Sequence, residues 1–318
     1  MKAKALWMTE PGRIEFRDVE IGEPGHGEVQ VRMRVCGICA WDSYLFRGKS
    51  LVEEFPFRFG HEGAGEVVGV GGGVSDLKAG DKVFCAGGAP SMVEVANMPR
   101  TSVTTIPETV DDFPVWVGEP VACVVNSLEL LGMRPGDHVV VVGAGYMGLL
   151  HVQGLAHMPA GSITAFDIDE DRLALAREFG ADQALLIGTA EADRAIERIK
   201  SGGGADVTIE CSSVQSGLDL SAQLLRKGGV LSLFAWHRGE RTIDGTLWHV
   251  NGLRVVNSSP ASDRHFSERL PQTARLLERE VFDQRKLITH VRPFSEAQRM
   301  MEIATNKEDG FIKGVITF

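Results

Sequence analysis

The sequence predicts an α/β protein, in which a doubly wound parallel sheet follows a domain rich in β-strands. Three observations carry this reading: an all-apolar valine strand running into a glycine turn, regular strand–helix alternation after it, and short alternating strands before it. The central stretch is His138–Gly148, HVVVVGAGYMG. Four consecutive valines read as a strand buried on both faces. Gly143, Gly145 and Gly148 then fit G-x-G-x-x-G, with Tyr146 and Met147 between the last two glycines. The first glycine turns the chain, the second admits a pyrophosphate to the backbone, and the third lets helix pack on strand. The apolar run resumes at once, so a helix begins inside the glycines and offers its N-terminus to phosphate. The next strand, Ser162–Phe166, ends at Asp167, nineteen residues after Gly148, where a carboxylate accepts hydrogen bonds from a ribose 2′-hydroxyl. Strand, glycines, helix, strand and acid in that order predict a Rossmann-type dinucleotide site, and the acid favours NAD over NADP. Asp169 is the competing acid, and Arg172 is expected on the adenosine side or on a solvated helix face.

Before this unit, Ala3–Trp7, Ile14–Asp18 and Val29–Val35 read as strands separated by Pro-Gly turns, and Val29, Val31, Met33 and Val35 alternate with polar residues. A polar loop is expected after the stretch Cys36–Asp42, then strands at Glu66–Val70 and Lys82–Cys85. Repeated strands without long helices predict a barrel-like domain. Val121–Leu131 reads as a helix. After the valine strand come helices at Arg172–Phe179, Asp193–Lys200 and Gly217–Arg226, the last closed by Gly228-Gly229. Strands alternate with them at Ala184–Ile187, Asp206–Cys211, Val230–Ala235 and Gly252–Val256. Six parallel strands complete the second fold, so the chain from Pro260 is expected to return to the first domain with helices near Phe266–Arg279 and Ser295–Ala304. The expected domains are 1–118, 119–259 and, rejoining the first, 260–318.

Composition narrows the function. A net charge of −10 without a Lys/Arg cluster argues against nucleic acid or an anionic membrane as partner. The N-terminus lacks the apolar core of a signal peptide, and five cysteines in no regular framework suit a reducing compartment, so a cytoplasmic enzyme is expected. Three residues upstream of the nucleotide unit stand out: Cys39, His61 and Glu119. Thiolate, imidazole and carboxylate are zinc ligands, and three with an open fourth position make a catalytic site. Singly, each reads more readily as a buried thiol, a turn histidine and a helix start; their order ahead of a nucleotide-binding unit is what favours a metal site.

In combination the motifs become specific. Gly37-Ile-Cys39 with Asp42, Gly60-His61-Glu62-Gly-Ala-Gly65, Lys78-Ala-Gly-Asp81, Glu119-Pro120, the glycine fingerprint and Gly310-Phe-Ile-Lys313-Gly resemble, along the whole chain, the zinc-dependent medium-chain dehydrogenases of the alcohol, sorbitol and threonine type. The resemblance implies a GroES-like catalytic barrel beside the Rossmann domain. It implies one catalytic zinc on Cys39, His61 and Glu119, with Asp42 behind His61 fixing its tautomer and Glu62 close to the metal and exchanging with its water. It implies a secondary alcohol, a polyol or sugar derivative, that gives up a hydride to NAD from an alkoxide on the metal, and a homodimer or homotetramer. Two departures matter. Trp41 stands where the family places a hydroxyl that relays the alcohol proton, leaving Tyr44, Ser43 or a water chain to carry it, or making Trp41 a pocket wall. Cys85 has no cysteine neighbours, so a four-cysteine structural zinc lobe is not expected. Cys36 and Cys39 form a C-x-x-C that lacks a thioredoxin context. The rival readings are a zinc-free reductase of the same fold and a nucleotide-binding sensor without catalysis. Substrate choice is expected to rest on the loop 45–57 and the residues after Ala235.

Overall fold

The computed structural model describes residues 1–49, 54–258 and 265–318. These divide into two compact units, Met1–Ala122 with Ser267–Phe318, and Cys123–Phe266. Residues 50–53 of the expected specificity loop, and the start of the expected return segment at 260–264, lie outside the described residues.

The first unit is built on β1 (Lys2–Glu10), β2 (Arg13–Glu20), β3 (Glu28–Gly37), α1 (Ala40–Phe46), β4 (Phe57–Arg58), β5 (Glu62–Val70), β6 (Lys82–Ala86), β7 (Val95–Pro99) and β8 (Val103–Thr105). The helix α2 (Glu119–Leu130) starts in this unit and ends in the second. α1 takes in the start of the loop expected after Asp42. Its seven residues are too short for a periodic signal, and Asp42 supplies the cap by accepting the Cys39 backbone N–H at 2.8 Å.

The second unit runs β9 (His138–Val142), α3 (Tyr146–Ala156), β10 (Ser162–Asp167), α4 (Glu170–Glu178), β11 (Gln183–Leu186), α5 (Ala190–Ser201), β12 (Ala205–Glu210), α6 (Gln215–Gln223), β13 (Leu225–Leu233), α7 (Gly245–Asn251) and β14 (Arg254–Asn257). Its six strands are parallel in the order β11-β10-β9-β12-β13-β14, the doubly wound arrangement with the valine strand β9 central. Val139, Val140 and Val141 are fully buried, which is why this strand reads as continuously apolar. One expectation is corrected here. α6 stops at Gln223 rather than Arg226, and Gly228-Gly229 lie within β13, where the register shifts opposite β12. Gly228 takes φ +70°, so the pair makes a bulge instead of a helix stop.

The chain then contributes α8 (Leu270–Glu278), β15 (Ile288–Pro293), α9 (Ala297–Asn306) and β16 (Lys313–Thr317) to the first unit. β16 adds to β3, extending its sheet to the order β15-β16-β3-β5-β6-β8, with β7 also paired to β3. Neither late strand stood out in the sequence. β16 is largely buried and short, and β15 alternates between half-buried and exposed positions without a fully buried residue.

A buried histidine ties the second unit together. His151 on α3 is fully buried, with Nδ1 2.8 Å from the Met147 carbonyl and Nε2 3.0 Å from Ser127 Oγ. Burial pushes its pKa down to about 4. The unfolded chain binds this proton near the ordinary value of about 6.5. Stability from the neutral ring is therefore complete above pH 6.5 and is lost as pH falls toward 4. Between pH 7.5 and 5 the loss is about 2 kcal/mol. His151→Gln should lose correspondingly less over the same range in denaturant titrations, and an equal loss in both proteins would contradict this origin.

Candidate active site and dinucleotide cradle

The strand order of the first unit assembles a polar cluster at the end of β3. Val315 of β16 pairs with Gly37 on one side, and Gly63 of β5 pairs with Cys36 on the other. Lys313 opens β16 and Glu62 opens β5, so the two side chains meet across Gly37. Lys313 Nζ donates to Glu62 Oε2 at 2.5 Å and to the Ile38 carbonyl at 3.0 Å, and both side chains are at most 4% exposed. A Cβ on residue 37 would lie 2.0 Å from Glu62 Oε2 and 3.0 Å from Val117 Cγ1. Glycine is required there because the carboxylate occupies the space a side chain would fill.

Immediately after Gly37 the chain turns into α1, and Cys39 is its N-cap. Among the described residues, the donor atoms of Cys39, His61 and Glu62 lie within 4.8 Å of one another. That spacing and chemistry fit one zinc ion, whose thiolate, imidazole and carboxylate bonds are about 2.0–2.3 Å long. Glu119, at the start of α2, is not one of these three converging donors, although its charge acts on both His61 and Lys313. Asp42 is fully buried beside them. One of its oxygens accepts the Cys39 N–H, while Oδ1 has no hydrogen-bond partner. An acidic cluster of this kind, buried with an orphaned carboxylate oxygen, is what a divalent cation relieves.

The electrostatics agree. Burial opposes charge on His61, but the hydrogen-bonded Cys39 thiolate and the carboxylates of Asp42 and Glu119 raise its pKa well above the usual value. Burial raises the Asp42 pKa, against the pull of His61. Burial likewise opposes charge on Lys313, yet Glu62, Cys39 and Glu119 hold its pKa above that of an ordinary lysine. Trp41 packs on the hydrophobic core that includes Phe46, Phe57 and Phe59, with the Tyr44 ring 6.2 Å away on the same helix. Cys36 belongs to that core, and burial raises its pKa. Cys85 lies in the neighbouring core, where burial pushes its pKa up to about 12.

The second unit presents the glycine turn. Gly143 takes φ +99°, a left-handed conformation that other residues resist. A Cβ on Gly148 would lie 1.8 Å from the Gly143 carbonyl oxygen, whereas one on Gly145 would meet nothing within 4 Å. Gly145 caps α3, so its open face adjoins the free N–H groups of the helix start. Tyr146 is buried behind the turn, and Met147 is partly exposed. Asp167 ends β10 with 6% exposure. Its Oδ2 accepts the Ala144 N–H at 2.5 Å, and its Oδ1 accepts those of Ile168 and Asp169 at 2.8 and 3.0 Å. Asp169 instead caps α4 and pairs with Arg172 at 3.4 Å. Gly143, Gly145, Asp167 and Arg172 line a cavity of about 420 Å³ whose remaining walls include Ile168, Ile187 and Val214.

Two groups went unrecognised in the sequence. Lys313 was legible only as part of a family motif, since a single lysine near the C-terminus carries no signal of burial. Glu210, fully buried at the end of β12, accepts N–H groups from Ser212 and Ser213 at 2.7 and 2.9 Å and lies 2.7 Å from His237 Nε2. An acid closing an apolar strand was its only signal.

A donor cluster in a strand-rich unit and a glycine turn in a doubly wound unit point to the class of the dehydrogenases. Residues 25–108 match the family of alcohol dehydrogenase GroES-like domains, and residues 146–279 match that of zinc-binding dehydrogenases. A sorbitol dehydrogenase of Halalkalibacterium halodurans is 30% identical over 257 residues, covering 71% of this chain and 75% of the relative. An alcohol dehydrogenase of a Moraxella species is 29% identical over 305 residues, covering 85% and 88%. Among solved structures, an Escherichia coli oxidoreductase of unknown specificity superposes with a TM-score of 0.89 at 23% identity, covering 100% of this chain and 99% of that one. The chain belongs to the zinc-dependent medium-chain dehydrogenase/reductase family.

Proposed function

We propose that this protein is a zinc-dependent, NAD-linked dehydrogenase that interconverts a secondary alcohol, a polyol or sugar derivative, with its ketone. The observation that carries the proposal is the convergence of the Cys39, His61 and Glu62 donor atoms within 4.8 Å. Zinc bound there would act as a Lewis acid, lowering the pKa of an alcohol and polarising a ketone. Glu119 is the alternative carboxylate for this set, at the start of α2. Around it, Asp42 fixes the Cys39 backbone by accepting its N–H, so that the thiolate is held by α1. Trp41 has no hydroxyl to pass on a proton, and its packing on the core suits a wall. That leaves Tyr44, one turn along α1, as the candidate to receive the proton, with Ser43 or water as the other routes.

In the second unit, Gly145 and the start of α3 receive the pyrophosphate, with Gly143, Tyr146, Met147 and Gly148 shaping the turn. Asp167 retains acceptor capacity for a ribose hydroxyl on Oδ2, and its negative charge disfavours a 2′-phosphate, which supports NAD over NADP. The polyol assignment is supported by the sorbitol dehydrogenase relative. Further support for a homodimer or homotetramer comes from β14, an edge strand with Val255 40% exposed. All five cysteines are free thiols, which suits a cytoplasmic setting, and no described helix is long and apolar enough to cross a membrane.

A panel of polyols, simple secondary alcohols and amino alcohols, each assayed with NAD and NADP, tests the assignment. The expected result is turnover of a polyol with NAD at a kcat/KM at least ~10-fold above that with NADP. A preference for NADP or for amino alcohols would overturn the cofactor or the substrate assignment respectively.

A further inference from the structure

The Lys313–Glu62 pair has a role that the proposed reaction leaves unassigned. Its position is unusual for a lysine. It is almost completely buried, it is reached by the charges of Glu62, Cys39 and Glu119, and its ammonium holds the same carboxylate that converges with Cys39 and His61. A surface ion pair contributes little, but a buried one constrains both partners. The oxygen that Lys313 holds sits in the space that the missing side chain of Gly37 leaves, since a Cβ there would lie 2.0 Å from Oε2.

We propose that Lys313 is a positioning residue that competes with the divalent metal for Glu62, holding one carboxylate oxygen so that the other alone is offered to the ion. This inference rests on the metal-site reading above. Two consequences follow from charge. In the metal-free protein, Lys313 offsets the negative charge of Cys39, Asp42, Glu62 and Glu119, and so stabilises the empty site. In the metal-loaded protein, it prevents Glu62 from closing both oxygens on the ion, which keeps a coordination position open for substrate. Lys313 therefore weakens metal binding while preserving the open site, the opposite of what a purely structural ion pair would do.

The test compares wild type with Lys313→Met, Lys313→Gln and Lys313→Arg as full-length, zinc-loaded proteins. Two quantities are read: the rate of zinc release to a chromogenic chelator, and the difference in Tm between zinc-loaded and metal-free protein. The neutral variants should release zinc ~10-fold more slowly than wild type, with a larger zinc-induced rise in Tm. Lys313→Arg, which keeps the charge, should stay within ~3-fold of wild type. Lys313→Gln retains a donor for the Ile38 carbonyl, so it serves if Lys313→Met does not fold. Zinc release as fast as, or faster than, wild type in the neutral variants overturns the proposal, as does an equal drop in Tm for loaded and metal-free protein. A wild type that takes up no zinc would instead remove the metal-site reading itself.

Discussion

Cys39→Ser should lose its bound zinc and at least ~10³-fold in kcat/KM, because several kcal/mol of transition-state stabilisation depend on the ion. The effect is large because Cys39 supplies the thiolate among the three converging donors. Cys36, although close enough to feel Asp42 and Glu62, is buried in the hydrophobic core with its thiol pKa raised, and Cys85 sits in a separate apolar cluster. A serine hydroxyl is a poor zinc ligand at neutral pH, whereas the thiolate is a strong one. The fold should survive, since the capping interaction at Cys39 uses its backbone N–H rather than its sulfur. Elemental analysis, steady-state kinetics and a thermal melt read the three parts of this prediction. Retained zinc with full turnover would refute it.

The glycine turn yields a prediction that separates binding from folding. Gly145→Ala adds a methyl group to open space, so Tm should stay close to that of wild type, yet NADH affinity should fall ~10–100-fold because the methyl blocks the approach of the pyrophosphate. Gly148→Ala places a methyl 1.8 Å from the Gly143 carbonyl oxygen, and it should destabilise the second unit by about 2 kcal/mol or more. Fluorescence titration with NADH alongside differential scanning calorimetry distinguishes the two. If Gly145→Ala binds NADH normally, the pyrophosphate does not approach along that face.

The contrast between these residues explains what the sequence could and could not disclose. The dinucleotide cradle was legible because its parts are contiguous: β9, the turn, α3 and β10 follow one another within thirty residues, and each has its own periodicity or obligatory glycine. From the residues alone the cluster of the first unit is legible as separate candidates, which only the family resemblance joins into one site. Cys39, His61 and Glu62 are brought together by the pairing of β3 with β5, a long-range event that no local pattern records. Lys313 enters through β16, more than 250 residues away from Glu62 in sequence. The resemblance implies Glu119 as the carboxylate ligand with Glu62 close to the metal; the donors that converge among the described residues are those of Cys39, His61 and Glu62, and Glu119 acts on His61 through its charge. Choosing between two carboxylates requires positions in space, since both chemistries are equivalent. α1, which runs past Asp42 where a loop is expected, is hidden for a related reason. Its helix is held by a side-chain cap and by burial of Leu45 and Phe46, not by an extended amphipathic pattern.

The most direct measurement is the zinc content of the full-length protein purified without chelator, determined per chain by elemental analysis. The donor geometry of the first unit, with Cys85 isolated in an apolar core, predicts one zinc per chain. Protein that contains no zinc, and takes up none on dialysis against the metal while still binding NADH, would contradict the central claim.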